Sequence, residues 1–360
     1  METGMKFDIA RIDKNFLIES VYASQELDWL SVHEAPIELR GLAVHEGESF
    51  CRLPLELAEK SSEGIRYLAY NTAGGRVRFT LKRATRLAIR CESLNAFSMS
   101  HMPLSGISGV DIYIDGEFRQ AIRPANDKGG YFEGETKIKS PSVQVEINLP
   151  LYNGIKNLFI GIEKGATIAA PRPYVVDDPV AFYGSSITQG GCASRPGNSY
   201  QGFVCRWLDC DHINLGFSGN ARGEEAIASY IASLRMSAFV MDYDHNAPTV
   251  EHLKNTHARF FEIIRQAQPD VPVIFISKPD CYNDPADSAK RVAVIRKTYT
   301  DAMDKGDKRV WFIDGASLFG ANDRDACTVD RTHPNDIGFY RMAEAIAPVL
   351  RQALKASGRL

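Results

Sequence analysis

The sequence predicts a two-part chain, an all-β sandwich followed by an α/β unit built on a parallel sheet. Short runs of alternating or β-branched residues, separated by turn residues, fill the first part. Apolar strand-like runs alternate with amphipathic helical stretches in the second. Between them "AAPRPYVVDDP" carries three prolines, Pro171, Pro173 and Pro179, and reads as a linker. At 360 residues the chain exceeds one typical domain, and the expected division is 1–175 and 176–360.

In the first part the candidate strands are "GRVRFTLKR" (Gly75 to Arg83), "RLAIRCES" (Arg86 to Ser93), "VDIYIDGEFRQ" (Val110 to Gln120), "SVQVEINLP" (Ser142 to Pro150) and "NLFIGIEKG" (Asn157 to Gly165). Turn chemistry falls at Asn71 to Gly75, Ser105 to Gly109, Asp115-Gly116 and Asn126 to Gly130. With hardly a helical window among them, such runs favour a sandwich or jelly roll.

In the second part, "PVAFYG", "HINLGF", "AFVMDYD", "VPVIFIS" and "RVWFIDG" are the strands. Helices are expected over Tyr200 to Leu208, Glu224 to Leu234, Val250 to Gln268, Ser288 to Lys305 and Asp336 to Leu354. Strand–helix alternation gives βαβ units with helices on both faces of the sheet, and reactive groups then gather at the C-terminal strand ends.

Composition narrows the function. The chain is 44% hydrophobic and 24% charged, with net charge −3, so nothing global calls for nucleic acid or an anionic membrane as partner. No apolar stretch reaches the ~20 residues of a bilayer span. "METGMKFDIARIDKNF" mixes acids and bases and lacks a secretory apolar core, which fits a cytoplasmic protein. The seven cysteines show no C-x-x-C spacing, so neither a disulfide framework, a structural zinc site nor a metal or other cofactor is expected. Oligomeric state is left open.

Polar residues fall at four strand ends: "GSSITQGG" (Gly184 to Gly191), "GFSGNARG" (Gly216 to Gly223), "MDYDHNAP" (Met241 to Pro248) and "CTVDRTHPND" (Cys327 to Asp336). Singly, each has a structural explanation. Gly-Ser-Ser can be a turn with an N-cap, and Asn335 or Asp336 can start the last helix. Together they supply a hydroxyl, an Asp-x-x-His unit, a glycine N–H and an asparagine amide on one rim. Acyl transfer needs these groups: a nucleophile, a base, an orienting acid and donors for the oxyanion. Strand-end position alone does not choose between Ser185 and Ser186.

These four blocks resemble the SGNH (GDSL-like) hydrolases, whose fold is a flavodoxin-like three-layer α/β/α sandwich. The family's first block, Gly-Asp-Ser-Ile-Thr-x-Gly, matches Gly184 to Gly190 and implies that Ser186 is the nucleophile, with its own N–H in the oxyanion hole. The resemblance further implies Gly219 and Asn246 as oxyanion donors, His333 as base and Asp330 as its partner. Ser185 stands where the family usually has Asp, and Ala247 where a second acid usually follows Asn246. His245, crowded beside Asn246 with Asp242 and Asp244, reads as a core or substrate-contacting histidine. "MSHMPLSGISGVDIYIDG" and "LPLYNGIKNLFIGI" look like the β-sandwich that precedes SGNH domains in some bacterial esterases, relatives of two-domain carbohydrate acetyl esterases. The implied activity is a metal-free serine esterase acting on small acyl esters, acetyl groups on carbohydrates foremost, with a small-molecule or oligosaccharide ester as partner. An acyltransferase, a lipid esterase or thioesterase, and a non-catalytic carbohydrate-binding protein remain as alternatives.

Overall fold

The computed structural model describes residues 27–43 and 50–360; the segment Met1 to Phe16 discussed above lies outside them. The first part contains strands β1 (Leu27–Ser31), β2 (Glu38–Arg40), β3 (Arg76–Lys82), β4 (Arg86–Ser93), β5 (Val110–Ile114), β6 (Glu117–Ile122), β7 (Gly130–Lys137), β8 (Ser142–Asn148), β9 (Ile155–Glu163) and β10 (Thr167–Ala169). Short helices α1 (Leu55–Lys60), α2 (Glu63–Ala69) and α3 (Leu104–Ile107) interrupt them. All pairings are antiparallel, in two sheets of order β1-β9-β4-β7 and β10-β3-β8-β5-β6, with β2 also on β3. Strand periodicity builds the layer between them: Val143, Val145 and Ile147 of β8 and Leu87, Ile89 and Cys91 of β4 all enter one buried cluster. This is the expected β-sandwich. The run from Val110 to Gln120 folds as two strands because Asp115 and Gly116 both take positive φ at its middle.

The second part holds β11 (Val176–Gly184), α4 (Ser186–Gln189), α5 (Tyr200–Leu208), β12 (Cys210–Gly216), α6 (Glu225–Ser233), β13 (Ala238–Asp242), α7 (Val250–Ala267), β14 (Val273–Ile276), α8 (Pro285–Asp304), β15 (Val310–Ile313) and α9 (Asp336–Ala356). Its five strands are parallel, in the order β12-β11-β13-β14-β15. That is the flavodoxin-like order, with a switch point at β11, where the chain leaves for β12 on one side and returns to β13 on the other. Alternate residues of each strand serve opposite layers. Val180, Phe182 and Val240 pack with α5 and α9. Ala181, Tyr183, Phe239 and Met241 pack with α6, α7 and α8.

Two local expectations fail. Helices α1 and α2 lie in the half read as nearly helix-free, and Ala58, Ile65 and Leu68 bury themselves in the α/β layer rather than in the sandwich. Arg52 explains their docking: fully buried, it donates to the carbonyls of Leu68, Asn214 and Gly216. Such a tie between segments far apart in sequence leaves no periodic trace. The proline-rich stretch is not a free linker either. Residues 176–179 already belong to β11, and the Tyr174 ring lies 3.5 Å under the Arg78 guanidinium while its hydroxyl donates to Glu146.

Candidate active site

The loops after β11, β12 and β13 leave the sheet at one level, because Gly184 stands beside Gly216 and Asp242 in register. Small residues are needed here. A Cβ on Gly184 would collide with the Asp242 carbonyl, and one on Gly216 with the Gln189 N–H as α4 crosses β12. The structure also separates the two serines. Ser185 is the N-cap of α4, its hydroxyl accepting from the Ile187 N–H at 3.1 Å. Ser186, one residue on, is 5% exposed and places Oγ 2.9 Å from His333 Nε2. The cap thus falls to Ser185, and the hydroxyl beside the imidazole is that of Ser186.

His333 and Asp330 lie on one tight turn just before α9. Arg331 adopts a left-handed φ of 72°, which brings the Asp330 side chain back over the turn. One Asp330 oxygen accepts from the backbone N–H groups of Thr332 and His333, and the other lies 2.7 Å from His333 Nδ1. Burial pushes the Asp330 carboxyl upward, but hydrogen bonds from the His333 ring and from the two backbone N–H groups outweigh it and hold the pKa below the usual value. An ionised carboxylate only accepts, so the proton sits on Nδ1 and the Nε2 lone pair faces the Ser186 hydroxyl.

The two predicted donors lie on the loops that follow the neighbouring strands β12 and β13. Gly219, at φ 68°, follows β12, and a Cβ there would meet open space. Asn246 follows β13, and its amide donates one hydrogen to the Phe217 carbonyl at 3.0 Å, tying the third block to the second. His245 Nε2 lies 3.2 Å from Asp280. Asp280 is buried and also accepts from Thr332 Oγ1, beside His333. Although burial opposes it, these hydrogen bonds and the Lys278 charge bring Asp280 to about 2. Asp280, Asn283 (which donates to the Arg331 carbonyl at 2.6 Å) and Thr332 thus brace the turn that carries His333. No motif announces Asp280 and Asn283, because they act through the fold from a separate loop.

The sandwich half also reaches the site. Tyr152 donates to the Ser186 carbonyl at 3.1 Å, and Gln189 donates to Leu151. Asp111 on β5, fully buried, accepts from Arg195 and from the Gly197 N–H, both at 2.8 Å. Two residues before Gly197's neighbour Pro196, Ser194 is tied to Asp336 at the start of α9. The loop after the serine is therefore held from both sides. A separate cavity of about 370 Å³, lined among others by Arg76, Arg78, Tyr174 and His212, opens at the opposite end of β12 and shares no lining residue with the Ser186 site.

A serine hydroxyl, an imidazole and a carboxylate in line at the switch point of a flavodoxin-like sheet define a serine-type ester hydrolase. The family comparison agrees: residues 177–351 match the GDSL-like lipase/acylhydrolase family and residues 27–168 match the N-terminal unit of SGNH-type esterases. The chain belongs to the SGNH (GDSL-like) hydrolases, in the form that carries a β-sandwich before the hydrolase unit. Solved structures share this architecture. One described as a GDSL-like lipase from Bacteroides ovatus is 27% identical with a TM-score of 0.81, over 91% of this chain and 98% of that one. The salicylyl-acyltransferase SsfX3 of a tetracycline biosynthetic pathway is 20% identical with a TM-score of 0.76, over 93% and 98%. A family two carbohydrate esterase from Cellvibrio japonicus is 15% identical with a TM-score of 0.60, over 91% and 98%. No curated protein matches the sequence.

Proposed function

We propose that this chain hydrolyses small acyl esters, acetyl groups on carbohydrates first among them, through an acyl-enzyme on Ser186. The observation that carries the reading is the unbroken line from Ser186 Oγ to His333 Nε2 at 2.9 Å and from His333 Nδ1 to Asp330 at 2.7 Å. His333 takes the hydroxyl proton as Oγ attacks the ester carbonyl, and Asp330 stabilises the imidazolium. The oxyanion is met by the Ser186 N–H, at the open first turn of α4, by the Gly219 N–H and by the remaining Asn246 amide hydrogen. His333 then returns its proton to the leaving alcohol. Water, activated by the same imidazole, releases the acid and restores Ser186.

Support for a carbohydrate substrate comes from the carbohydrate esterase that shares the whole two-part architecture. A second reading has an observation of its own: the acyltransferase neighbour superimposes more closely, and an alcohol in place of water would use the same groups. One experiment addresses both. The purified chain is given acetylated oligosaccharides and aryl esters of rising acyl length, with and without added alcohols, and products are read by mass spectrometry. Acetate release that falls as the acyl chain lengthens is the expected result. Rates that rise with chain length would overturn the acetyl assignment, and acyl transfer to alcohols in preference to water would replace the hydrolase with a transferase.

A further inference from the structure

His101 belongs to the sandwich half, in the stretch between β4 and α3, yet its ring centroid lies 5.9 Å from that of His333, tilted by 58°. One ligating atom from each of His101, Asp330 and His333 lies within 4.8 Å of the other two. Two imidazoles and a carboxylate form a donor set that zinc accepts when three protein ligands leave a fourth position open. We propose that His101, Asp330 and His333 form a site for a zinc-like divalent cation, and that its occupancy switches the serine off. The switch rests on the reading of His333 as the base; the cation site does not.

The chemistry follows from the count of lone pairs. An imidazole nitrogen gives its pair to one electrophile at a time. A cation on His333 Nε2 takes the pair that would receive the Ser186 proton, and the hydroxyl keeps its hydrogen. A cation on Nδ1 displaces the proton held toward Asp330; the neutral ring then carries that proton on Nε2, which has no pair left for the Ser186 hydrogen. Either mode removes the base, and neither requires a redox partner. Zinc bonds of about 2.0–2.2 Å need the three donors closer together than they now stand. His101 and Asp330 are both exposed, so side-chain rotation can close the gap and an ion can enter from solvent. The sequence expectation of no metal rested on local spacing. Here the ligands come from opposite halves of the chain, where spacing carries no signal.

The test uses the full chain, stripped with a chelator and compared with His101→Ala and Ser186→Ala. Cobalt(II) binding is read from its visible absorption, and zinc inhibition from hydrolysis of 4-nitrophenyl acetate. Cobalt should bind wild type and Ser186→Ala alike. Zinc should inhibit the wild type reversibly, with chelator restoring activity. His101→Ala should keep its turnover and its melting temperature, while cation affinity and zinc sensitivity fall by at least the 10–100-fold that even outer-shell partners contribute. Equal zinc sensitivity in His101→Ala would overturn the proposal, as would absence of cobalt binding by the wild type. Cobalt binding without zinc inhibition would remove the switch. If the chain showed no esterase activity at all, the function reading would fail, yet the cobalt titration would still decide the site.

Discussion

Two Asp–His pairs, Asp330–His333 and Asp211–His212, stand at opposite ends of the parallel sheet, and the first faces a serine. At the C-terminal edge, Asp330 holds His333 Nδ1 and leaves Nε2 toward Ser186. At the other end of β12, Asp211 and His212 are adjacent in sequence, buried, and bound to Arg76. There the carboxylate is taken by the guanidinium, and His212 Nε2 lies 3.0 Å from Arg76 Nη1. Burial, then the Arg76 and Arg206 charges, push His212 far below the ordinary histidine value. A permanent cation on the lone pair makes that imidazole a fixed acceptor, whereas a carboxylate behind the ring makes the other a base. Residue types alone do not distinguish the two pairs; the partner on the second nitrogen does.

The largest expected effect breaks the comparison at its functional end. Ser186→Ala or His333→Ala should lower turnover of an acetyl aryl ester by about 10⁵–10⁶-fold, with little change in melting temperature. His212→Gln, assayed below its unfolding temperature, should keep near-normal turnover. If His212→Gln matched His333→Ala, the two edges would have been assigned in reverse.

A smaller effect separates the histidines by pH. Buried neutral, His212 titrates far below its unfolded value of about 6.5, so below that pH the unfolded chain binds the extra proton. Its share of stability is complete above about pH 6.5 and drains away as pH falls, at up to about 1.4 kcal/mol per unit. The melting temperature of His212→Gln should therefore decline less steeply between about pH 6.5 and 4.5 than that of wild type. Parallel slopes would show that His212 is already charged in the folded protein.

The same contrast explains what the sequence disclosed. The parallel sheet, its five longer helices and the turn Asp330-x-x-His333 are local patterns, and the 3.6-residue and two-residue periods report them directly. The choice of Ser186 came from a family block, because capping and attack both favour a serine at a strand end. Arg52, Tyr152, Asp280 and His101 left no such mark. Each acts across a long sequence separation, through a carbonyl, a hydroxyl or a ring that only the folded chain brings near. Helices α1 and α2 are too short for periodicity and owe their place to the layer they cover.

The smallest effect concerns Ser185, the neighbour of the proposed nucleophile. Its hydroxyl accepts the Ile187 N–H in a buried setting, so Ser185→Ala leaves that donor without a partner. Loss of an N-cap costs about 1 kcal/mol, and the melting temperature should fall by a few degrees accordingly. Even if all of that energy were withdrawn from the positioning of Ser186, turnover would fall by no more than about tenfold. Ser185→Ala should thus remain an active and slightly less stable enzyme, still labelled at Ser186 by an organophosphonate. Ser185→Asp, which restores the acid usual in the family, should keep a cap on α4 and recover the lost stability. A Ser185→Ala variant as dead as Ser186→Ala would show that capping and attack are not divided between the two serines, and the nucleophile would have to be reassigned.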